Sequence, residues 1–235
     1  MDRYRRTAAA NNAAWCDVVC RTHGLDPTID GDAWTSRVRT PPFYPDAVTL
    51  APDVSVTGLL ARVDASAGCS IKDSFASLDL SAFGFHVLFE AEWMVRTPSI
   101  AAPAGPAAVD TAWEVVREPE VFASWERGWR GDDGPVGVLR ADLVGHASVT
   151  VLAVRDGDRV SAGAVLNRSA GTVGISNVFA DPEGPPADWP GCLALADALF
   201  PKSTFVGYEQ GEALDAALTS GFRTAGLLRV WSLDS

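Results

Sequence analysis

The chain of 235 residues is poor in basic residues and lacks long apolar runs, and each deficit argues against a class of function. Nineteen Lys and Arg residues are outnumbered by 30 Asp and Glu residues, so the formal net charge is −11. Proteins that bind nucleic acid normally present a basic face to the phosphates, and no such stripe is visible. No apolar run approaches the roughly 20 residues that a membrane-spanning helix needs. We therefore expect no nucleic acid and no membrane as partners.

Cysteine and histidine are also scarce. The four cysteines follow no pattern of spacing, so we expect reduced thiols and a cytoplasmic protein. Cys16, Cys20 and His23 would share one face of a helix predicted over residues 4–22. Three metal ligands are one interpretation of that face, although no fourth ligand stands nearby. The alternative is a buried face with two small thiols, and we predict no metal site.

The residues from Val149 to Pro182 predict a meander of three antiparallel strands. Asp156-Gly157 lies between two runs rich in β-branched residues, which is a strong hairpin signal. Beyond a proline-rich loop, the apolar periodicity predicts a helix, a strand, a second helix and a last strand after Gly221-Phe222. The predicted bounds of these four elements are 189–200, 204–208, 212–219 and 227–233.

The first half of the chain shows a similar order of elements, which is one sign of an internal repeat. The elements concerned are helix 54–65, strand 70–75, a helical turn at 77–82, Gly84-Phe85 and the long strand 86–96. Shuffled helices and strands could also produce this order. A Pro/Ala-rich segment with little capacity to pack follows it. We predict an N-terminal unit at 1–97, a linker at 98–109 and a second domain at 110–235.

Residues 25–46 contain four prolines, and an irregular conformation is expected there. Three aromatic residues of this stretch, Trp34, Phe43 and Tyr44, have two interpretations. They either cover one edge of the core or line a cleft, and plain packing is the simpler interpretation.

Two segments of the C-terminal half resemble a known family. Ser176-Asn177-Val178-Phe179-Ala180-Asp181-Pro182 ends the third meander strand, and Gln210-x-x-Ala213 precedes Gly221-Phe222. Together with the order of elements over residues 111–233, they resemble the GNAT acetyltransferase superfamily. The resemblance implies an α/β fold with a mixed, mostly antiparallel sheet flanked by helices, and a possible second, partial unit of this kind at the N-terminus. It also implies an N-acyltransferase that moves an acetyl or acyl group from coenzyme A to a small amine.

The resemblance further implies where acetyl-coenzyme A would bind. The cofactor would lie between two splayed strands, 173–180 and 204–208. Its pantetheine arm would meet the backbone at Val178, Phe179 and Ala180. Its pyrophosphate would meet the head of helix 189–200, where helix N-termini attract phosphate.

The phosphate loop itself departs from the family's pattern. Gly191 and Cys192 still offer amides, and Gln210 takes the place of the family's pantetheine-contacting asparagine. The loop also contains Pro185, Pro186 and Pro190, which have no N–H group to donate. Glu183 and Asp188 place negative charge where the pyrophosphate would come.

The family's usual general acid, a tyrosine, corresponds to Ala217 in this chain. Tyr208 and Glu209 at the end of the second splayed strand could act as acid and base in its place, and Asn177 is the third candidate catalytic residue. The alternative is that Tyr208 packs and Glu209 caps or solvates the next helix. A non-catalytic module that binds a small molecule or a protein partner is therefore the alternative function. A homodimer is possible in either case.

Overall fold

The structure is a computed structural model that describes residues 2–98, 112–181 and 188–234. Over these ranges, eleven strands form one sheet. In chain order they are β1 (Thr28–Ile29), β2 (Ala33–Thr35), β3 (Ala47–Thr49), β4 (Ser70–Asp73), β5 (Phe85–Arg96), β6 (Trp113–Val115), β7 (Val149–Asp156), β8 (Arg159–Ser169), β9 (Thr172–Ala180), β10 (Phe205–Glu209) and β11 (Arg223–Leu233). The predicted meander of three strands is confirmed as β7, β8 and β9.

The strand order across the sheet is β1-β2-β3-β4-β11-β5-β10-β9-β8-β7-β6. Only the pairs β3–β4 and β9–β10 are parallel among these described strands. Every other neighbouring pair is antiparallel, so the predicted mixed and mostly antiparallel sheet is confirmed.

Five α-helices of the described ranges pack against this sheet. They are α1 (Asp2–Thr22), α2 (Val56–Leu60), α3 (Pro119–Arg130), α4 (Trp189–Leu199) and α5 (Gly211–Thr219). Helix α1 has an alanine-rich sequence that favours helix, and it ends before Gly24, whose φ of 75° breaks the helical backbone. None of the described helices has the length and apolarity needed to cross a membrane.

The helix predicted at 54–65 is wrong in length, because α2 has only five residues. Ser55 caps its start by accepting a hydrogen bond from the Gly58 N–H, and Ala61 ends it. Arg62 then bonds Asp30 and Asp32 at 2.9 and 2.8 Å, which holds the chain against the β1–β2 region. The predicted helical turn at 77–82 is also shifted, to a 3-10 turn at Ser81–Phe83. Part of the stretch expected to be irregular forms β1 and β2.

The two faces of the sheet carry different helices. Along β7, Val151 and Ala153 pack in one apolar cluster with α1 and α3, whereas Leu152 packs in a second cluster with α4 and α5. Alternate residues of a strand point to opposite faces, so α1 and α3 cover one face and α4 and α5 the other. Arg96 of β5 holds α4 in place through a two-pronged ion pair with Asp197, at 2.9 and 2.7 Å.

Strand β5, from the first half of the chain, lies between β10 and β11 from the second half. The segments 1–97 and 110–235 therefore share one sheet, and their division into separate units stays a prediction. Most of the predicted linker, residues 99–109, lies outside the described residues. Strand β3 is parallel to β4, which pairs with β11, and β9 is parallel to β10, which pairs with β5. The internal repeat stays a prediction.

Candidate functional site

The parallel strands β9 and β10 separate soon after they meet. They pair at only two positions, Val173 with Phe205 and Val206 with Gly174. Beyond these positions β10 stays paired with β5 as far as Glu209, and β9 stays paired with β8 as far as Ala180. The predicted splay is confirmed, and it leaves one edge of each strand facing the opening.

A β-bulge in β9 widens this opening. Val165 pairs with Ser176 and Gly163 with Phe179, so two residues of β9 lie opposite the single residue between them on β8. One of these two residues, Asn177, has a φ of 53°. Its side-chain oxygen accepts a hydrogen bond of 2.9 Å from the Ser176 hydroxyl, and asparagine tolerates this left-handed conformation better than most residues. Bulges of this kind redirect side chains and end strand pairing.

Gly207 lies at the point where the strands begin to diverge. A Cβ atom at this position would lie 2.7 Å from the carbonyl oxygen of Ile175 and 2.8 Å from the Met94 methyl group. The glycine therefore permits the backbones of β9 and β10 to approach closely just before they part.

A cavity of ≈ 260 Å³ lies at the wide end of the opening, on the face of the sheet that α1 and α3 cover. All three candidate catalytic residues, Asn177, Tyr208 and Glu209, line it. The other lining residues come from α1, the 43–45 loop, β4, α3 and the bulge: Asn12, Trp15, Cys16, Phe43, Tyr44, Pro45, Lys72, Trp129, Ser176 and Val178. The structure thus brings the predicted residues together with several that lie far away in the sequence.

Glu209 brings a carboxyl group to this cavity. Burial raises the pKa of its carboxyl group to about 7, because the charged form loses hydration. No described residue forms a hydrogen bond or an ion pair with this carboxylate. The predicted alternative, in which Glu209 caps the next helix, does not match the structure, because Gln210 occupies the N-cap position of α5 and makes no side-chain capping bond.

Lys72 of β4 was not anticipated as a site residue. It is 4% exposed, and its ammonium group lies 4.1 Å from the centre of the Tyr208 ring. The same group donates a hydrogen bond of 2.9 Å to the side-chain oxygen of Asn12. The Tyr208 ring also packs edge-on against Trp93, with centroids 5.6 Å apart. Tyr208 therefore packs, as one interpretation expected, and it also lines the cavity.

Tyr44 and Phe43 do line a cleft, whereas Trp34 is fully buried. The Tyr44 hydroxyl makes no hydrogen bond of normal geometry with any described residue. Burial raises the pKa of Tyr44 well above its ordinary value, although the side chains of Asn177 and Trp15 lie close enough to oppose this shift. Phe43 is 70% exposed and meets Trp129 edge-on at 5.8 Å, so this pair borders the cavity from the solvent side.

The residues predicted to contact pantetheine and those predicted to contact the pyrophosphate lie in different surroundings. Val178 belongs to the bulge and Phe179 and Ala180 follow it, on the part of β9 that no longer pairs with β10. The edge of β9 that faces away from β8 is therefore not paired with another strand at these residues. Phe179 is anchored by an edge-on contact with Trp125 at 5.2 Å.

At the head of α4 the amides are already engaged. The Gly191 N–H donates to the Asp188 carboxylate at 3.0 Å, and the Cys192 N–H donates to the Asp188 carbonyl at 3.0 Å. Asp188 thus occupies the place that the resemblance assigns to a pyrophosphate. Glu183, Pro185 and Pro186 lie within 182–187, outside the described residues.

The face that carries Cys16, Cys20 and His23 has a structural explanation. The His23 Nε2 atom lies 2.9 Å from the Val138 carbonyl, and both cysteines are buried in the core under α1. Desolvation raises the pKa of Cys16 to about 11 and that of Cys20 to about 12. In ranges 2–98, 112–181 and 188–234, no three His, Cys, Asp or Glu side chains are grouped to hold a metal ion.

Comparison with solved structures identifies the fold. A protein assigned as an acetyltransferase of the GNAT family from Novosphingobium aromaticivorans DSM 12444 matches with a TM-score of 0.60 at 13% identity, over 97% of this chain and 99% of that one. A GCN5-related N-acetyltransferase from Kribbella flavida matches with a TM-score of 0.60 at 14% identity, over 96% of each chain. A GCN5-related N-acetyltransferase-like protein from Streptococcus suis 89/1591 matches with a TM-score of 0.51 at 11% identity, over 99% of each.

No family model and no curated protein matches the chain. The likeness therefore concerns the three-dimensional fold, and it extends over nearly the whole chain. The protein has the GNAT fold, as the resemblance of its C-terminal half predicted.

Proposed function

We propose that the protein is an N-acyltransferase, which transfers an acetyl or other acyl group from coenzyme A to a small amine. The observation that carries this proposal is the position of Glu209. Its carboxyl group, with a pKa raised to about 7, lies at the end of the splayed strand and lines the cavity beside the opening. A base with such a pKa can take a proton from an amine at neutral pH.

The chain's own residues suit the two halves of this task. The free edge of β9 at Val178, Phe179 and Ala180 would hold the pantetheine arm, and the cavity on the α1 side would hold the amine. When bound, acetyl-coenzyme A would supply the acyl group as an activated thioester. Holding both reactants in one opening converts their encounter into an effectively intramolecular reaction.

Proton transfer falls to two residues in the proposal. The Glu209 carboxylate takes a proton from the ammonium form of the acceptor, which frees the nitrogen lone pair to form the amide bond as the thioester C–S bond breaks. Tyr208 is the candidate proton donor to the leaving group, through its phenolic hydroxyl. It would take the role of the family's tyrosine, whose position is occupied by Ala217 in this chain. Asn177 positions the bulge, because its own side chain is held by Ser176 at 2.9 Å.

A second function is favoured by the head of α4. Asp188 engages the Gly191 and Cys192 amides, and Ala217 is buried without a reactive group. Both observations suit a non-catalytic module that holds a small molecule in the same cavity. Acetyl-coenzyme A binding separates the two functions.

The direct test is isothermal titration of the protein with acetyl-coenzyme A, followed by an assay of thiol release in the presence of pooled small amines. The enzyme proposal expects saturable binding and amine-dependent thiol release. Glu209→Gln should bind the cofactor normally and release thiol much more slowly. No heat of binding and no thermal shift at millimolar acetyl-coenzyme A would exclude the enzyme and leave the binding module.

A further inference from the structure

The cavity contains one cation that has only neutral partners. The Lys72 ammonium is held by the Asn12 side-chain oxygen at 2.9 Å and by the face of the Tyr208 ring at 4.1 Å. Among the described residues, no carboxylate lies within 4.0 Å of it. A buried charge without a counter-charge is costly, and neutral groups offset only part of that cost.

The chemistry of the ammonium group leaves room for a ligand. A lysine has three N–H donors, and Asn12 accepts only one of them. Lys72 lines the cavity, so the remaining donors are available to a molecule bound there. Tyr44 also lines the cavity, and its buried hydroxyl makes no hydrogen bond of normal geometry with any described residue.

Lys72 and Glu209 line the same cavity without neutralising each other. No ion pair joins them, which means that more than 4.0 Å separates the ammonium nitrogen from the carboxylate oxygens. The cavity therefore presents a cation and a separate carboxyl group. A ligand with one negative and one positive group would complement both.

We propose that the acceptor is a zwitterion of amino-acid size, whose carboxylate binds Lys72 while its amine lies beside Glu209. This inference rests on the proposed function for the role of the amine, but the binding of the zwitterion can be measured without it. The volume of ≈ 260 Å³ agrees with a small ligand, because pockets for drug-sized molecules commonly span about 300–1,000 Å³.

The chain offers a matched control for a test of Lys72. It contains only two lysines, and the other, Lys202, is exposed in the turn after α4. Lys72→Met and Lys202→Met remove the same charge from the protein but at different places. Circular dichroism and thermal unfolding show whether each variant is folded.

The experiment screens the twenty common L-amino acids and their carboxamides by saturation-transfer NMR, without coenzyme A, and measures dissociation constants for the pairs that bind. We expect at least one free amino acid to bind at least about tenfold more tightly than its amide, since a charge-assisted hydrogen bond is lost in the amide. Lys202→Met should keep this preference. Lys72→Met should weaken binding of the free amino acid by a similar factor. The dissociation constant of the amide should stay within about threefold of its wild-type value.

Three results of the binding experiment would overturn the inference: equal binding of an acid and its amide by the wild type, a preserved preference in Lys72→Met, or no binding of any amino acid at 10 mM. The first and third need no variant, so a misfolded Lys72→Met does not remove the test. Amino acids that bind without being acylated would refute the proposed function alone. Amines that are acylated equally well with and without a carboxylate would refute the zwitterion alone.

Discussion

The Lys72 ammonium lies 4.1 Å from the centre of the Tyr208 ring, although 136 positions separate the two residues in the chain. This contact joins β4 of the N-terminal part to the end of the splayed strand β10. Strands β4 and β10 belong to one continuous sheet, in which β11 and β5 lie between them. The candidate acceptor cavity is therefore built from both halves of the chain.

The rate of acyl transfer should depend on the protonation of Glu209. Because the pKa of this carboxyl group is about 7, kcat/KM should rise with pH through that value as the carboxylate forms. Glu209→Gln should lower kcat/KM by roughly 10²–10⁴ and abolish the rise near pH 7. The measurement is a pH–rate profile from pH 5.5 to 9 with both proteins. An unchanged profile in the variant would assign the base to another group.

The pH dependence of the protein's stability should also reflect the buried carboxyl group of Glu209. Its ordinary pKa of 4.5 applies to the unfolded chain and about 7 to the native one. Between these values the native state binds more protons, so the free energy of unfolding should fall as pH rises from about 4.5 to 7. Glu209→Gln lacks this fall. Between pH 4 and pH 8, the difference in free energy of unfolding between variant and wild type should therefore change by roughly 1–3 kcal/mol in favour of the variant. Urea unfolding at both pH values measures it.

A matched control for this stability test is Glu212→Gln, in the first turn of the neighbouring helix α5. Glu212 is exposed, so its replacement should leave the pH dependence of unfolding as it is in wild type. If Glu209→Gln and wild type lose stability equally between pH 4 and 8, the carboxyl group is hydrated and the assigned pKa is wrong.

Asp188 should oppose the binding of a pyrophosphate at the head of α4. Asp188→Asn keeps an oxygen that can cap Gly191 but removes the charge, so stability should change by less than about 0.5 kcal/mol. The affinity for acetyl-coenzyme A should rise severalfold, since a carboxylate near a phosphate repels it by about 1 kcal/mol in solvent-exposed surroundings. Calorimetric titration at low salt gives the two dissociation constants.

Glu120→Gln is the matched control for Asp188→Asn, because it removes an exposed carboxylate from the first turn of a different helix, α3. The control should leave the affinity for acetyl-coenzyme A unchanged. An equal gain in both variants would reflect net charge alone, and no gain in either would place the pyrophosphate elsewhere.

Gly207→Ala should destabilise the junction of β9 and β10. The new methyl group would meet the Ile175 carbonyl at 2.7 Å, and a backbone atom cannot move aside without disturbing the strand. We expect a loss of about 1–3 kcal/mol in the free energy of unfolding. Gly31→Ala is the control, since an added Cβ there meets nothing within 4 Å. Equal stability of the two variants would show that the strands separate before residue 207.

The splay of β9 from β10 was expected only from the resemblance to a known family, whereas local patterns in the sequence were enough to predict the meander and the helices and strands that follow it. These features depend on near neighbours: the Asp156-Gly157 turn, the β-branched runs around it and the proline at the start of α4. The order of these elements, together with two short sequence segments, carried the resemblance from which the GNAT fold was predicted. The same patterns failed for α2, because Arg62 bonds Asp30 and Asp32 instead of continuing a helix.

The sequence by itself determined the elements of the C-terminal half, because these follow from local strand and helix patterns. The resemblance to a family then drew attention to Tyr208 and Glu209 at the end of a predicted strand. Only the tertiary structure decided what surrounds them. Lys72, Asn12 and Tyr44 reach the cavity through strand pairings and a helix packing that join residues far apart in the chain. The raised pKa of Glu209 has the same origin, since it depends on burial by packed neighbours and not on the identity of adjacent residues.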